Sequence, residues 1–215
     1  MRQRALLDAG PLTEHPWPMA ETTEVAPHKS MAVPLAAFAA GAVIALLVGV
    51  FGRVHDPSLD GTTSLGFETV LAMKVVLATV VGVLALLQLG GALWMYGKLG
   101  IAAPSWLGKA HRGSGVLALV LALFVAYHCL FALGLEAGHL PDGETVSLRT
   151  VVHGVLGCLV VGALVVKVVA VRSKRAPGWF LPVAGALLFT LLVAAVLTSA
   201  LWYVAEKGWP SGGGY

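Results

Sequence analysis

Charge is scarce in this chain. Of 215 residues only 12% are Asp, Glu, Lys or Arg, against 58% hydrophobic residues. That is too little polar side chain to cover a water-soluble domain of this length. Cysteine is almost missing: Cys129 and Cys158 both lie inside apolar runs, where a thiol behaves as a small hydrophobe. Two such residues exclude a disulfide framework and a paired CxxC metal site, and their different heights along their helices argue against a bridge between them. Also missing are HExxH, a Ser/His/Asp arrangement and a glycine loop that could cradle phosphate, so hydrolase, zinc-finger and nucleotide-binding readings have no support. No basic stripe interleaved with aromatics is present, which argues against nucleic acid as a partner.

What fills the chain instead is long apolar runs. Five of them reach the roughly 18 residues or more that cross a bilayer as helix, at about 31–51, 67–96, 109–135, 147–171 and 179–205. The alternating segments of about ten residues that a membrane barrel needs do not occur. The expected fold is all-α, an integral membrane bundle of five transmembrane helices. Residues 1–30 are polar and punctuated by Pro11, Pro16, Pro18 and Pro27. They lack the apolar core and cleavage site of a signal peptide and read as a disordered cytoplasmic tail. Residues 207–215 read as a short external tail. Pro182 falls near the start of helix five, where proline is tolerated.

Basic residues set the expected orientation. Lys98, Lys109 and Arg112 flank the loop before helix three, and Arg172, Lys174 and Arg175 crowd the turn before helix five. The loop between helices three and four carries Glu136, Asp142 and Glu144. The positive-inside rule makes the first two cytoplasmic, so the chain is expected in the cytoplasmic membrane with its N-terminus on the cytoplasmic side and its C-terminus external. Trp106 and Trp179 would then sit at the inner interface and Trp202, Tyr203 and Trp209 at the outer one.

Against this background three side chains stand out because lipid disfavours them. Lys74, His128 and His153 each fall about six or seven residues inside the expected external end of helices two, three and four, roughly 10 Å deep at 1.5 Å per residue. Ionisable groups inside a membrane span usually face the bundle interior and mark a cofactor, ion or proton site. A histidine pair on facing helices can ligate haem iron from both sides. The expected site therefore holds one haem b, with His128 and His153 as iron ligands and Lys74 beside the propionates. Gly157, one turn beyond His153, and the neighbouring Gly154 and Gly134 would leave room for a flat macrocycle. Each residue taken singly also suits a plainer role: histidine as cross-helix hydrogen-bonding glue, Lys74 snorkelling to the interface, glycine as a packing position.

A repeated short motif adds to this. His111-Arg112-Gly113-Ser114-Gly115 opens helix three and His153-Gly154-Val155-Leu156-Gly157 opens helix four, each a histidine followed by glycine four residues on. The pattern resembles helix starts of membrane b-type cytochromes and haem-A-synthase-like proteins, and residues 67–172 look like an uncharacterised actinobacterial family of small five-helix membrane proteins of that kind. The resemblance implies haem b and electron transfer. The chain departs from two-haem relatives, whose paired histidines sit thirteen or fourteen residues apart on one face. His111 and His128 are seventeen apart, which turns them about 100° from one another, and the position fourteen beyond His153 is Lys167, no ordinary haem ligand while protonated. One haem is expected, with His111 as an interfacial residue beside headgroups or a quinone.

His55, Asp56 and Asp60 form a weaker candidate for a loop metal site. The function these features point to is one-electron transfer at the external face, with an external redox protein or quinol as partner, membrane lipid as surroundings, and the chain as a subunit of a larger respiratory-type complex rather than a complete enzyme. Two other readings stay open: a haem-free accessory subunit, and a small proton-coupled carrier using the same three polar residues. Against the carrier, the sequence shows no inverted repeat and no pair of broken helices.

Overall fold

A computed structural model describes residues 30–58, 60–132 and 146–210. The expected tails at 1–29 and 211–215, and Gly134 with the acidic loop around it, lie outside the described residues. The fold is all-α. Helices α1 (Ala32–Val54), α2 (Val70–Met95), α3 (Leu107–Ala132) and α4 (Leu148–Arg172) are followed by α5 (Phe180–Val196). The last continues through a π-helical turn (Leu197–Leu201) into α6 (Trp202–Lys207). The π turn makes α5 and α6 one apolar rod of 28 residues, so five helical rods are each long and apolar enough to cross a membrane. This is a multi-pass membrane protein.

Local chemistry explains where the helices begin. Thr69 caps α2 by accepting a hydrogen bond from the Ala72 amide at 3.0 Å, and Ser147 caps α4 by accepting from Thr150 at 3.3 Å, each satisfying an amide with no intrahelical partner. Pro34 and Pro182 sit in the first turns of α1 and α5, where a missing N–H costs nothing. Between α2 and α3 the chain turns at Gly97 and Gly100, both at φ +69°, a conformation glycine adopts without strain.

The packing is uneven. α4 lies between α1 and α5, whereas α3 packs chiefly on α2 and α2 in turn meets α5 and the π turn. Ala37, Val166, Ala170, Phe180 and Ala184 form a small buried core where α1, α4 and α5 meet. α1 and α4 cross at Gly41 and Gly162: a Cβ on Gly41 would lie 2.7 Å from the Gly162 carbonyl oxygen, and a Cβ on Gly162 would run into the Gly41 carbonyl. Small residues let the backbones touch, the usual basis of helix association where lipid removes the hydrophobic driving force. Large apolar side chains elsewhere point outward, Leu46 at 67% and Val116 at 61% exposure, as helices bathed in hydrocarbon require.

One pair of helices is not packed as the sequence suggests. α3 and α4 do not share an extensive face; a cavity separates them, and all five rods line it rather than helices two to four alone.

Candidate functional site

The cavity has a volume of about 1130 Å³ and occupies one half of the bundle, the half next to the 55–69 loop. Its walls are mostly aliphatic, with Ala126 and Leu130 from α3 and Gly154 and Gly157 from α4 among them. The three polar residues singled out above keep their common depth: Lys74 is the fifth residue of α2, His128 the fifth from the end of α3 and His153 the sixth of α4. Common depth does not put them in one place. Lys74, His153 and Gly157 line the cavity; His128 does not.

His153 is held on its α5 side. Its Nδ1 lies 3.1 Å from the Ala195 carbonyl oxygen and 3.3 Å from Thr198 Oγ1. Thr198 Oγ1 already donates to the Ala194 and Ala195 carbonyls at 2.9 and 3.1 Å. The ring therefore donates its Nδ1 proton to Ala195, and the lone pair is on Nε2. A backbone carbonyl on one imidazole nitrogen is the arrangement that fixes tautomer and ring direction in a ligating histidine.

His128 is 1% exposed. Its Nδ1 donates to the Phe124 carbonyl one turn earlier at 2.9 Å, so it is the same tautomer, but its Nε2 accepts from the Thr63 amide at 3.2 Å. The rings of Phe124 and Tyr127 pack on it with centroids 4.5 and 5.3 Å away. The two histidines thus share donor chemistry, while only His153 lines the cavity, with its Nε2 free of a hydrogen bond to a described residue. His128 instead ties the 55–69 loop onto α3.

Tested against this geometry, the donor set fits a haem from one side. A cavity of this size, an oriented histidine on its wall, and a glycine whose added Cβ would meet nothing within 4 Å at position 157 together suit a flat, apolar group. A clamp by both histidines would require the Thr63 hydrogen bond to open and the His128 ring to turn.

His111 is elsewhere. It lies in the second turn of α3 at the opposite end, with Nδ1 buried and making no hydrogen bond among the described residues, 3.2 Å from where a Cβ on Gly91 would stand. Gln88 donates to its backbone carbonyl at 2.8 Å and to Ser114 Oγ at 2.7 Å, and a Cβ on Gly115 would be 3.1 Å from Gln88 Oε1. The two histidine-glycine motifs therefore do different work: at Gly157 the missing side chain opens a cavity, and at Gly115 it lets α2 approach α3.

In the loop, His55 stacks on Phe51 at 5.0 Å and meets Phe131 edge-on at 5.1 Å, joining the ends of α1 and α3. Asp56 and Asp60 are exposed, and among the described residues no three metal-ligating side chains come together, so the loop metal site is not formed. Cys129 and Cys158 are both free thiols on the cavity wall.

Sequence reasoning missed the cavity's other charged residues. Arg149 lies one turn before His153 on the same face of α4. It donates to the Thr198 carbonyl at 2.7 Å and places its guanidinium 3.5 Å from the centre of the Trp202 ring. Both partners flank or belong to the π turn, an irregularity common at functional sites. Arg53 and Lys207 complete the rim. Each stands at the end of an apolar run, where a basic residue draws no notice in the sequence.

Residues 31–211 match a family described as being of unknown function, DUF6529. The chain belongs to that family. The match takes in all five rods and the whole cavity lining. No curated protein and no solved structure matches the chain.

Proposed function

We propose that this protein is a membrane b-type cytochrome-like electron-transfer subunit that holds one haem b in the cavity, with His153 as axial ligand. The observation that carries the reading is the oriented imidazole of His153, its Nδ1 fixed by the Ala195 carbonyl at 3.1 Å, on the wall of a haem-sized apolar cavity. When bound, haem supplies one-electron exchange at its iron. The chain's own part is to exclude water with aliphatic walls, to leave space beside Gly157, and to aim Nε2. The resemblance of the histidine-glycine helix start to membrane cytochromes supports the same reading.

With the basic loops cytoplasmic, the cavity half of the bundle lies toward the external face of the cytoplasmic membrane, which makes an external redox protein or a quinol the natural electron partner. A relay within a larger respiratory-type complex is the setting in which such a haem would serve. A quinone beside His111 has less support, since that ring is packed against Gly91.

The test is a dithionite-reduced minus air-oxidised spectrum of detergent-purified protein with a pyridine haemochrome count. One haem per chain is expected, lost in His153→Ala. In the same series the spin state reports on His128: a low-spin band that becomes high-spin in His128→Ala puts that residue on the iron, and an unchanged spectrum leaves it as the anchor of the loop. A featureless spectrum after haem supplementation of folded protein would sink the proposal.

A further inference from the structure

Four cations converge on one end of a cavity that is otherwise apolar. Arg53 stands in the last turn of α1, Lys74 in the second turn of α2, Arg149 in the first turn of α4, and Lys207 at the end of α6. The helices alternate in direction, so these positions all belong to the same end of the bundle. All four line the cavity, and no Asp or Glu does among the described residues. Of the acids at that end among the described residues, Asp56, Asp60, Glu68 and Glu206 are exposed instead; Glu136, Asp142 and Glu144 of the same end lie outside the described residues.

Among the described residues the cavity wall supplies these cations with no counter-charge. Lys74 and Arg149 are half-buried, and neither forms an ion pair with a described residue. A cation drawn away from water needs a partner or a route back to it. The guanidinium of Arg149 is already steered by the Thr198 carbonyl and the Trp202 ring, which costs it freedom in advance and leaves further N–H donors for a carboxylate. The positive-inside pattern makes the arrangement more telling. If the basic loops at the opposite end face the cytoplasm, these four residues stand on the side where lysine and arginine are not favoured by topology.

We infer that the four cations form a carboxylate-binding rim that holds the two propionates of the haem, so that the charged edge of the macrocycle faces the 55–69 end and its apolar edge points toward Val161 and Leu164. The inference rests on the haem reading above and adds the direction of the group and the residues that fix it. Arg149 and Lys74, half-buried and on the same walls as His153 and its neighbours, carry most of the retention; Arg53 and Lys207, at the exposed rim, contribute a part that salt screens.

The experiment compares haem b with its dimethyl ester, which keeps the iron and the apolar body but has no carboxylate charge. Each is loaded into the full-length protein in detergent and its loss to excess apomyoglobin is timed. The ester is expected to leave at least about tenfold faster, as charge-assisted hydrogen bonds warrant. K74M with R149M is expected to speed the loss of haem by a larger factor than the loss of the ester, whose side chains carry no carboxylate charge. Equal loss rates for haem and ester from the unmodified protein overturn the rim and leave the cytochrome reading standing. Failure of both to bind folded protein overturns the two together. The comparison on unmodified protein decides the question even where the double variant does not fold.

Discussion

Glycine at 41, 115, 157 and 162 shows how much a single residue's meaning depends on what stands opposite. At 157 a methyl group would meet empty space, at 115 the amide of Gln88, and at 41 and 162 the facing backbone. Gly162→Val is therefore expected to destabilise the bundle by about 1–3 kcal/mol, since backbone cannot yield as a flexible side chain would. The thermal midpoint in detergent, compared with that of Gly157→Ala, checks this; the second should be close to unchanged. Histidine divides in the same way. His153 could be picked out as a functional candidate because an ionisable group in an apolar run is expensive. The same argument picked out His128, yet its two ring nitrogens go to Phe124 and Thr63, a fate settled by a loop some 65 positions away in sequence.

The π-helical turn is the element on which the site depends most. It brings the carbonyls of Ala195 and Thr198 to His153 and Arg149, and carries Trp202 on to the guanidinium. Removing one residue, by deleting Ser199, should return the segment to α-helical register and draw the carbonyls of Ala195 and Thr198 back into the helical ladder, away from His153 and Arg149. Haem retention is expected to fall by at least about tenfold, in the range found when partners of a ligating histidine are lost, with helical content by circular dichroism preserved. Thr198→Val, which spares the Ala195 carbonyl, should cost less than the deletion. Haem retention equal in both variants and in the parent would mean that the turn does not position the ligand. Nothing in the apolar run 180–205 marked this turn, because a π insertion leaves the hydrophobic character of a helix intact.

At the scale of the whole molecule, the bundle has two unlike halves. One is closed by the Gly41 and Gly162 crossing and the small core around Phe180; the other is opened by the cavity. The charge asymmetry of the loops predicts which half faces outward. In a background with Cys129 and Cys158 replaced by alanine, a cysteine at Ser58 should react with a membrane-impermeant maleimide on intact cells, and one at Ser173 only after permeabilisation. The reverse pattern would place the cavity toward the cytoplasm and change the electron partner that suits it.

Composition and run length were enough to determine five helices long and apolar enough to cross a membrane, because hydrocarbon thickness imposes a length and an apolar content that can be read position by position. The common depth of Lys74, His128 and His153 followed from the same arithmetic. Which helices touch did not. Depth is a property of one helix, whereas the angular position of a side chain about the bundle depends on how every other rod packs, and with apolar residues around the whole circumference no face announces its neighbour. Only the tertiary structure separates α3 from α4 by a cavity, turns His128 to a loop and His153 to α5, and gathers Arg53, Lys74, Arg149 and Lys207 from four separate helices into one rim.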